Sequence, residues 1–310
     1  MFLGDELTAI LDAIENNTAY CQTEKTQFKL GVHFLPKFPK DTTDRNRTSP
    51  FAFTGNKFEF RMLGSSSSIA CSNIMINTAV AESLRQYADI LENAENFETE
   101  LNTLIKSVIK KHKRIIFNGN GYDDEWIKEA TEKRGLLNYK TTPDALVHYA
   151  DEKNLELFRI HKIFSEAEVN SRCEIILENY CKTIRIEALT MIEMARKEII
   201  PAVEEYIGRL ASTANAKRAF VATVDCSVEE KLVVKLSELV VGMYAKCDDL
   251  EARLADIKRD VDVAKLAFAY KDNVIAEMQT LRELADEAEK YTADTVWPFP
   301  TYAELLFGVQ

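Results

Sequence analysis

A short run of alternating charges holds the residues of this chain that are best suited to chemistry. Lys57, Glu59 and Arg61 are spaced two apart, so on a β-strand they share one face in the order cation, carboxylate, cation. Two further guanidinium groups, Arg45 and Arg47, come shortly before them. Mg²⁺ prefers carboxylate oxygen, and guanidinium groups prefer phosphate oxygen. The pattern therefore predicts a site that could hold Mg²⁺ and phosphate oxygens together.

The same segment has the composition of a β-hairpin. Two short aromatic runs, Phe51–Phe53 and Phe58–Phe60, flank the turn residues Thr54–Asn56, which include a glycine. Because side chains alternate along a strand, the two phenylalanines of the second run are expected on the face opposite Glu59. An alternating charged face is also typical of a solvated edge strand, and the pattern alone favours that interpretation.

A family resemblance reverses this preference. Residues 46–61, NRTSPFAFTGNKFEFR, resemble the late catalytic-domain segment of glutamine synthetases, in which an Asn-Arg-Ser/Thr element leads to a strand carrying Glu-x-Arg. They resemble the long, type III branch in particular. Similar stretches follow at 64–70, 177–180 and 186–188 and at the ending 297–302. The resemblance covers almost the whole chain, and its first stretch is specific enough to identify the family.

The resemblance implies an α+β fold in two parts. Residues 1–95 would form the C-terminal part of the catalytic domain, with few antiparallel strands plus helices. Residues 96–310 would form a type III-specific, mainly α-helical domain with long antiparallel helices and an aromatic tail. Met1 resembles an interior point of a type III enzyme, so the N-terminal domain and the first catalytic segment would precede it. We therefore expect a truncated fragment that is inactive by itself.

The resemblance also implies a role for each charged residue around the hairpin. Glu59 resembles a metal-ligand glutamate. Arg61 and Arg47 resemble catalytic arginines: the first meets a substrate carboxylate or the transferring phosphate, and the second steadies the phosphates. Lys57 stands where other branches place an arginine near ATP, and Arg45 is assigned with it to nucleotide binding.

The implied reaction is the ATP-dependent joining of ammonia to glutamate, through γ-glutamyl phosphate, with Mg²⁺ or Mn²⁺ as the metal cofactor. The family also implies a homo-oligomer, a double-ring dodecamer. The run Phe51–Phe53 lacks an arginine that the commoner branches carry there, which leaves that contact in doubt. A non-catalytic helical scaffold or regulatory protein derived from the same family is the alternative function.

Composition argues against several other classes of protein. The net charge of −11 at pH 7 disfavours general nucleic-acid binding, which needs a basic surface. No uninterrupted apolar run reaches the roughly 18 residues of a membrane span, and we expect no signal peptide. The six cysteines lie far apart without a Cys-x-x-Cys pair, so zinc is not expected. Free thiols in a reducing cytosol, and hence a cytoplasmic protein, are expected instead.

Helix signals dominate the second half of the chain, where glycine is almost absent. Ser165 and Ser227 each begin a capping-box pattern, and an interruption of the helix is expected near Pro201. Apolar residues recur at spacings of three and four over 236–257 and again over 267–288. Two such stripes separated by a short charged segment predict an antiparallel helical hairpin.

Other segments complete the expected layout. An amphipathic helix is predicted over Phe2–Asn16 and a strand over 28–34. A helix over 66–91, apolar on much of its surface, is predicted to be buried on more than one side. The Asn118–Gly121 turn is interpreted as a surface loop, and the non-helical aromatic tail 297–302 is expected to dock its rings in a surface groove.

Overall fold

The computed structural model describes residues 1–20, 47–54, 57–61, 64, 67–257, 262–300 and 302–307. Within these residues the chain is mainly helical with one small antiparallel sheet, so the predicted α+β class is confirmed. The strand predicted over 28–34 lies outside the described residues. The chain divides into a first unit, Met1–Tyr139 with Glu156–Ile163, and a second unit, Lys140–Leu155 with Phe164–Gln310.

The first part of the chain contains both strands of the described residues. Its elements, in chain order, are α1 (Asp5–Asn16), β1 (Phe51–Phe53), β2 (Phe58–Phe60), α2 (Ile69–Leu91), α3 (Phe97–His112), a 3₁₀ turn (Lys113–Ile115), α4 (Asp124–Lys128) and a π turn (Glu129–Lys133).

The rest of the described chain is helical. Its elements are α5 (Thr142–Leu146), α6 (Glu152–Ile160), α7 (Glu166–Met194), a π turn (Ala195–Ile199), α8 (Ile200–Phe220), α9 (Ser227–Asp256), α10 (Val263–Ala269), a π turn (Tyr270–Val274), α11 (Ile275–Glu289) and α12 (Tyr302–Phe307). No helix in the described ranges is long and apolar enough to cross a membrane.

Local sequence signals set the ends of the helices in the first unit. Gly4 precedes α1 with a φ of 82°, a conformation that glycine adopts without a side-chain clash. Ser68 caps α2, and Asn96 caps α3, each by accepting a hydrogen bond from a backbone N–H of the first turn. Lys110–His112 place basic side chains in the last turn of α3, where they oppose the negative end of the helix dipole.

The expectation that α2 is buried on more than one side is wrong. Among its residues only Thr78 is buried, whereas Ile69, Val80 and Leu84 are more than half exposed. The apolar pattern correctly predicted a helix, but burial also requires a partner surface. Within the part of the chain that the structure describes, no element covers this side of α2.

The core of the second unit is one apolar cluster built around α9. This helix buries the predicted seam of Leu236, Val240, Met243, Cys247, Leu250 and Leu254. The second stripe buries Ala267, Tyr270, Val274, Leu281, Ala285 and Ala288 in the same cluster. Lys235 pairs with Glu287 and Lys246 with Glu277, so rising numbers on α9 meet falling numbers on α11. The two helices are therefore antiparallel, as predicted.

The two capping-box predictions have different outcomes. Ser165 and Glu168 form both reciprocal hydrogen bonds at the start of α7. Ser227 is the first residue of α9 rather than its cap, and no side-chain cap bond is formed there. Glu230, which was expected to complete the second box, pairs instead with Arg218 at the end of α8. At this helix start the Ser227 N–H donates instead to Asp225 Oδ1 at 2.8 Å.

The interruption expected near Pro201 takes the form of a π turn. Pro201 lacks an N–H donor, and its ring crowds the carbonyl of the preceding turn. The π turn Ala195–Ile199 lies directly before it, and the chain continues as α8 without a loop. One wider turn is a common way to keep a helix continuous at such a residue.

The aromatic tail docks in part, as predicted. Trp297 and Phe299 are partly buried and pack against the core cluster of the second unit. Their rings meet edge to face, with centroids 6.4 Å apart. The tail is not wholly non-helical, however, because α12 begins at Tyr302.

Candidate functional site

The predicted hairpin is present and sets the direction of each candidate side chain. The antiparallel register pairs Phe51 with Phe60, Ala52 with Glu59 and Phe53 with Phe58. Thr54 closes the turn by donating its N–H to the Lys57 carbonyl oxygen at 2.8 Å. Because paired residues share a face of the sheet, Glu59 lies on the side of the buried Ala52, and the four phenylalanines lie on the other.

The phenylalanine face holds the two strands together. Phe51 stacks on Phe58 with ring centroids 5.6 Å apart, and Phe53 meets Phe58 at 5.1 Å. Phe60 contacts Phe51 at 6.2 Å. Cross-strand aromatic pairs of this kind stabilise a short hairpin and leave the opposite face to the charged side chains.

Glu59 and Arg61 form a direct ion pair on that opposite face. Arg61 Nη2 donates to Glu59 Oε2 at 2.9 Å, and both side chains are partly buried. The hydrogen bond from Arg61 lowers the pKa of the Glu59 carboxyl below its usual range, and the Thr54 side chain and the charge of Lys57 act in the same direction. The pair therefore presents an ionised carboxylate held beside a fixed cation.

The other candidate residues differ in what the structure shows of them. Lys57 and Arg47 are exposed. Arg47 belongs to the segment that leads into β1, and the N–H of Arg61 donates to the Pro50 carbonyl of this segment at 2.8 Å. The lead-in segment is thus fixed to the end of β2. Arg45 lies outside the described residues, so the structure does not place it.

β1 is flanked on its other edge by the first residues of the chain. Phe2 makes two backbone hydrogen bonds with β1, at 2.9 and 3.0 Å, and its side chain is buried. The ammonium of Met1 donates to the Ile115 carbonyl at 2.6 Å, and the N–H of Phe117 donates to the Met1 carbonyl at 2.9 Å. The hairpin is therefore fixed through this segment to residues just after α3.

The Asn118–Gly121 loop holds the hairpin segment, a role that its sequence pattern does not indicate. In the Asn118–Gly121 loop, the last residue donates its N–H to Thr48 Oγ1 at 2.6 Å. The first residue, Asn118, accepts hydrogen bonds from the N–H groups of Leu3 and Gly4 at 3.2 and 3.0 Å. The only sequence signal was an alternation of asparagine and glycine, which is equally typical of a surface turn.

The described residues do not by themselves fit a metal site. Glu59 contributes one carboxylate, and Arg61 already occupies one of its oxygens. Within the ranges that the structure describes, no group of three or more His, Cys, Asp or Glu could hold a metal ion. Mg²⁺ demands near-octahedral coordination by oxygen. The predicted ligand is present, but a complete metal centre is not formed by these residues alone.

The histidine and cysteine side chains described away from the hairpin have contacts typical of structural residues. His161 Nε2 lies 2.8 Å from Glu82 Oε2, as expected for a histidine with a structural partner. The cysteines in the described ranges form no disulfide, and burial raises the pKa of three of their thiols: Cys173, Cys181 and Cys247. Protonated, buried thiols behave as small apolar side chains rather than as nucleophiles.

Comparison with known proteins agrees with the resemblance. Residues 100–218 match the family "Glutamine synthetase C-terminal domain". The chain is 38% identical over 314 residues to "Type-3 glutamine synthetase" of Dictyostelium discoideum, covering 99% of this chain and 43% of that protein. It is 37% identical over 315 residues to "Glutamine synthetase" of Butyrivibrio fibrisolvens, covering 100% and 44%. For "Glutamine synthetase" of Bacteroides fragilis (strain YCH46) the identity is 34% over 318 residues, covering 99% and 44%.

Residues 100–218 thus carry the C-terminal domain of the glutamine synthetase family, and almost the whole chain is similar in sequence to glutamine synthetases. The chain is related over almost its whole length to a type-3 glutamine synthetase. It spans less than half of the length of these relatives, 43% to 44%, as expected for a chain that corresponds to part of a type III enzyme. The division into domains 1–95 and 96–310 stays a prediction, because the compact units of the structure are not family domains.

Proposed function

We propose that this chain takes part in the ATP-dependent formation of glutamine from glutamate and ammonia. The observation that carries the proposal is the Glu59–Arg61 pair on a hairpin, in a chain related to type-3 glutamine synthetase. In this reaction the glutamate side-chain carboxylate attacks the γ-phosphate of ATP, which gives γ-glutamyl phosphate and ADP. Ammonia then displaces inorganic phosphate and forms the amide of glutamine.

The cations around the hairpin would bind and stabilise the negatively charged groups of this reaction. Arg61 would meet the substrate carboxylate or the transferring phosphate, and its bond to Glu59 orients the guanidinium group. Arg47 would steady the phosphates, and Lys57 and Arg45 would bind the nucleotide. Lysine keeps the charge but lacks the two-pronged geometry of arginine, so the contact of Lys57 would be less directional. Catalysis of this kind is positioning plus charge stabilisation.

A divalent metal is part of the proposal. Mg²⁺ or Mn²⁺ would neutralise phosphate charge, and Glu59 would be one of its ligands. The described residues do not complete such a site, so the remaining ligands would have to come from another part of the enzyme.

We also propose that the protein is a cytoplasmic homo-oligomer, a double-ring dodecamer as the family resemblance implies. Light scattering of the purified protein measures its mass directly. One chain has a mass of 35.3 kDa, so a particle of that mass at micromolar concentration would contradict the oligomer.

One observation favours a second candidate function, a non-catalytic helical scaffold or regulatory protein of the same family. The hairpin supplies a single carboxylate, and the described residues form no complete metal site. The helical second unit, in contrast, has an extensive core of its own.

Assays of glutamine formation separate the two functions. The purified chain, given ATP, glutamate, ammonia and Mg²⁺, is expected to make no glutamine, because one carboxylate cannot assemble the metal site. The same chain joined to the N-terminal remainder of a type-3 glutamine synthetase is expected to make glutamine and release phosphate. Turnover by the chain alone would contradict the incomplete-site interpretation. A folded, extended protein without turnover would favour the scaffold.

A further inference from the structure

We propose that the Asn118–Gly121 loop is a positioning element of the candidate site, acting through Thr48 on the segment that carries Arg47 and holds the end of β2. The inference rests on the proposed function, since it gives the loop a role in aligning the cations that would meet phosphate. None of the loop residues needs to touch substrate.

The contact between Gly121 and Thr48 requires a glycine. Gly121 donates its N–H to Thr48 Oγ1 at 2.6 Å. A Cβ atom at position 121 would lie 2.4 Å from the Thr48 carbonyl oxygen and 3.0 Å from its carbonyl carbon. These obstacles are backbone atoms, which cannot rotate aside as a side chain can. Any other residue would therefore have to push the loop and Thr48 apart.

A displacement of Thr48 would shift the backbone of both proposed catalytic arginines, Arg47 and Arg61. Arg47 is its direct neighbour in the chain. The buried side chain of Ser49 donates to the first carbonyl of β1 at 2.8 Å, so the segment is held on its other side. Pro50 then accepts the N–H of Arg61 at 2.8 Å. The backbone positions of Arg47 and Arg61 are thus both tied to the segment that Gly121 contacts.

The other end of the loop holds the chain segment that pairs with β1. Asn118 Oδ1 accepts from the N–H groups of Leu3 and Gly4, and its Nδ2 donates to Thr8 Oγ1 at 2.8 Å. One side chain therefore satisfies three groups around the start of α1. Phe2, next to Leu3, makes the hydrogen bonds that flank β1.

The loop itself is firmly fixed to its own region. The Phe117 ring stacks on Trp126 with centroids 3.8 Å apart, and the guanidinium of Arg134 lies 4.7 Å above the Trp126 ring. A Cβ atom at Gly119 would lie 2.5 Å from the tip of the Phe117 ring. Because the stacked ring cannot move away easily, Gly119 also has to be small.

This arrangement links two parts of the family sequence. The loop lies within residues 100–218, which match the glutamine synthetase C-terminal domain, whereas the hairpin precedes them. The C-terminal domain would thereby have a role in the site without supplying a catalytic residue.

Amide hydrogen exchange in the full 310-residue chain tests the inference. In Gly121→Ala, exchange at the amides of Phe53 and Arg61 is expected to be roughly tenfold faster or more, while the α9 core keeps its protection. Gly208→Ala is the matched control, since a Cβ at that helical position meets nothing within 4 Å. Unchanged protection at Phe53 and Arg61 in Gly121→Ala would overturn the inference, as would an equal loss in both units.

Two substitutions at Thr48 add a test by rescue. Thr48→Ala removes the hydroxyl that accepts the Gly121 N–H, and it is expected to speed exchange at Arg61. Thr48→Ser keeps the hydroxyl and is expected to restore protection to the level of the unchanged chain. Equal exchange in the two variants would show that the hydrogen bond does not hold the segment.

These measurements need no turnover, so the two proposals fail separately. Unchanged exchange would overturn the positioning role and leave the proposed reaction untouched. Absence of glutamine formation in the extended protein would overturn the proposed reaction, while the exchange result would still decide whether the loop holds the hairpin.

Discussion

The two units of this chain differ in how completely they bury their apolar side chains. The second unit encloses large side chains completely, among them Leu236, Met243, Leu250 and Leu281. The first unit, which holds the candidate site, has a few scattered buried residues, among them Phe2, Ala52, Leu104 and Phe158. Both units leave some large apolar residues mostly exposed, such as Phe58, Leu84 and Phe97 in the first and Phe220 in the second.

This difference indicates that different interactions stabilise the two units. The second unit contains the partners for its own apolar stripes, so burial supplies most of its stability. The first unit depends more on hydrogen bonds between short segments, such as those of Asn118 and Thr48.

Leu250→Asp should unfold the second unit selectively. The side chain is fully buried in the α9 seam, and an unpaired carboxylate there should cost about 4 kcal/mol or more. The first unit contains Trp126 and the second Trp297, so urea unfolding followed in Trp126→Phe and Trp297→Phe backgrounds reports each unit separately. Val241→Asp, at a mostly exposed position of the same helix, is the control. Equal midpoints for the two aspartate variants would contradict a buried seam.

Glu59→Gln should have little effect on folding and a large effect on turnover. In the chain extended to a complete type-3 enzyme, loss of the carboxylate charge should lower kcat by about 10²- to 10³-fold, because the amide is a poor metal ligand and no longer forms an ion pair with Arg61. Glutamine formation and urea unfolding would be measured side by side. Glu98→Gln, an exposed carboxylate on α3, serves as the control. Near-normal turnover in Glu59→Gln would remove Glu59 from the site.

Ser165→Ala should destabilise the second unit by about 1 kcal/mol, since it removes a capping box that the structure confirms. Ser227→Ala should have a smaller effect, because Ser227 makes no cap bond at the start of α9. Urea unfolding followed by Trp297 fluorescence compares the two. A larger loss at Ser227 would show that the local pattern, rather than the observed hydrogen bonds, controls the helix start.

The smallest expected effect is a pH dependence of the first unit. Hydrogen bonds from Arg85, then Gln86 and His161, hold the pKa of the Glu82 carboxyl well below its usual range. A lowered folded-state pKa stabilises the fold above the unfolded value of about 4.3, and this contribution is lost as the pH falls below it. The free energy of unfolding, measured through Trp126 fluorescence, should therefore decrease as the pH is lowered from 6 to 3.

Glu82→Gln isolates this contribution, since the amide cannot titrate. The variant should lose less stability between pH 6 and pH 3 than the unchanged chain, and Glu98→Gln should behave like the unchanged chain. A pH profile that is identical with and without the Glu82 carboxyl would show that this cluster does not contribute to folding.

Much of this protein was determined by its sequence alone. The period of apolar residues along 236–257 was enough to predict the seam of α9, because helical geometry places residues three and four apart on one side. The Ser165 box was predictable because all of its atoms lie within one turn of helix. The placement of Glu59 and Arg61 on one face followed from the two-residue period of a strand, and the family resemblance followed from the residues of the hairpin.

Other features depend on contacts between residues far apart in the chain, and local spacing does not reveal them. The Ser227 pattern did not form a capping box, and Glu230 pairs instead with Arg218 of the preceding helix. The apolar surface of α2 made a helix predictable but could not show that no described element would cover it. Gly121 looked like an ordinary turn residue until folding brought its backbone against Thr48, more than seventy positions earlier in the chain. The spacing of residues along the chain determines local helix and strand geometry. Contacts between distant segments depend instead on how all the intervening elements pack.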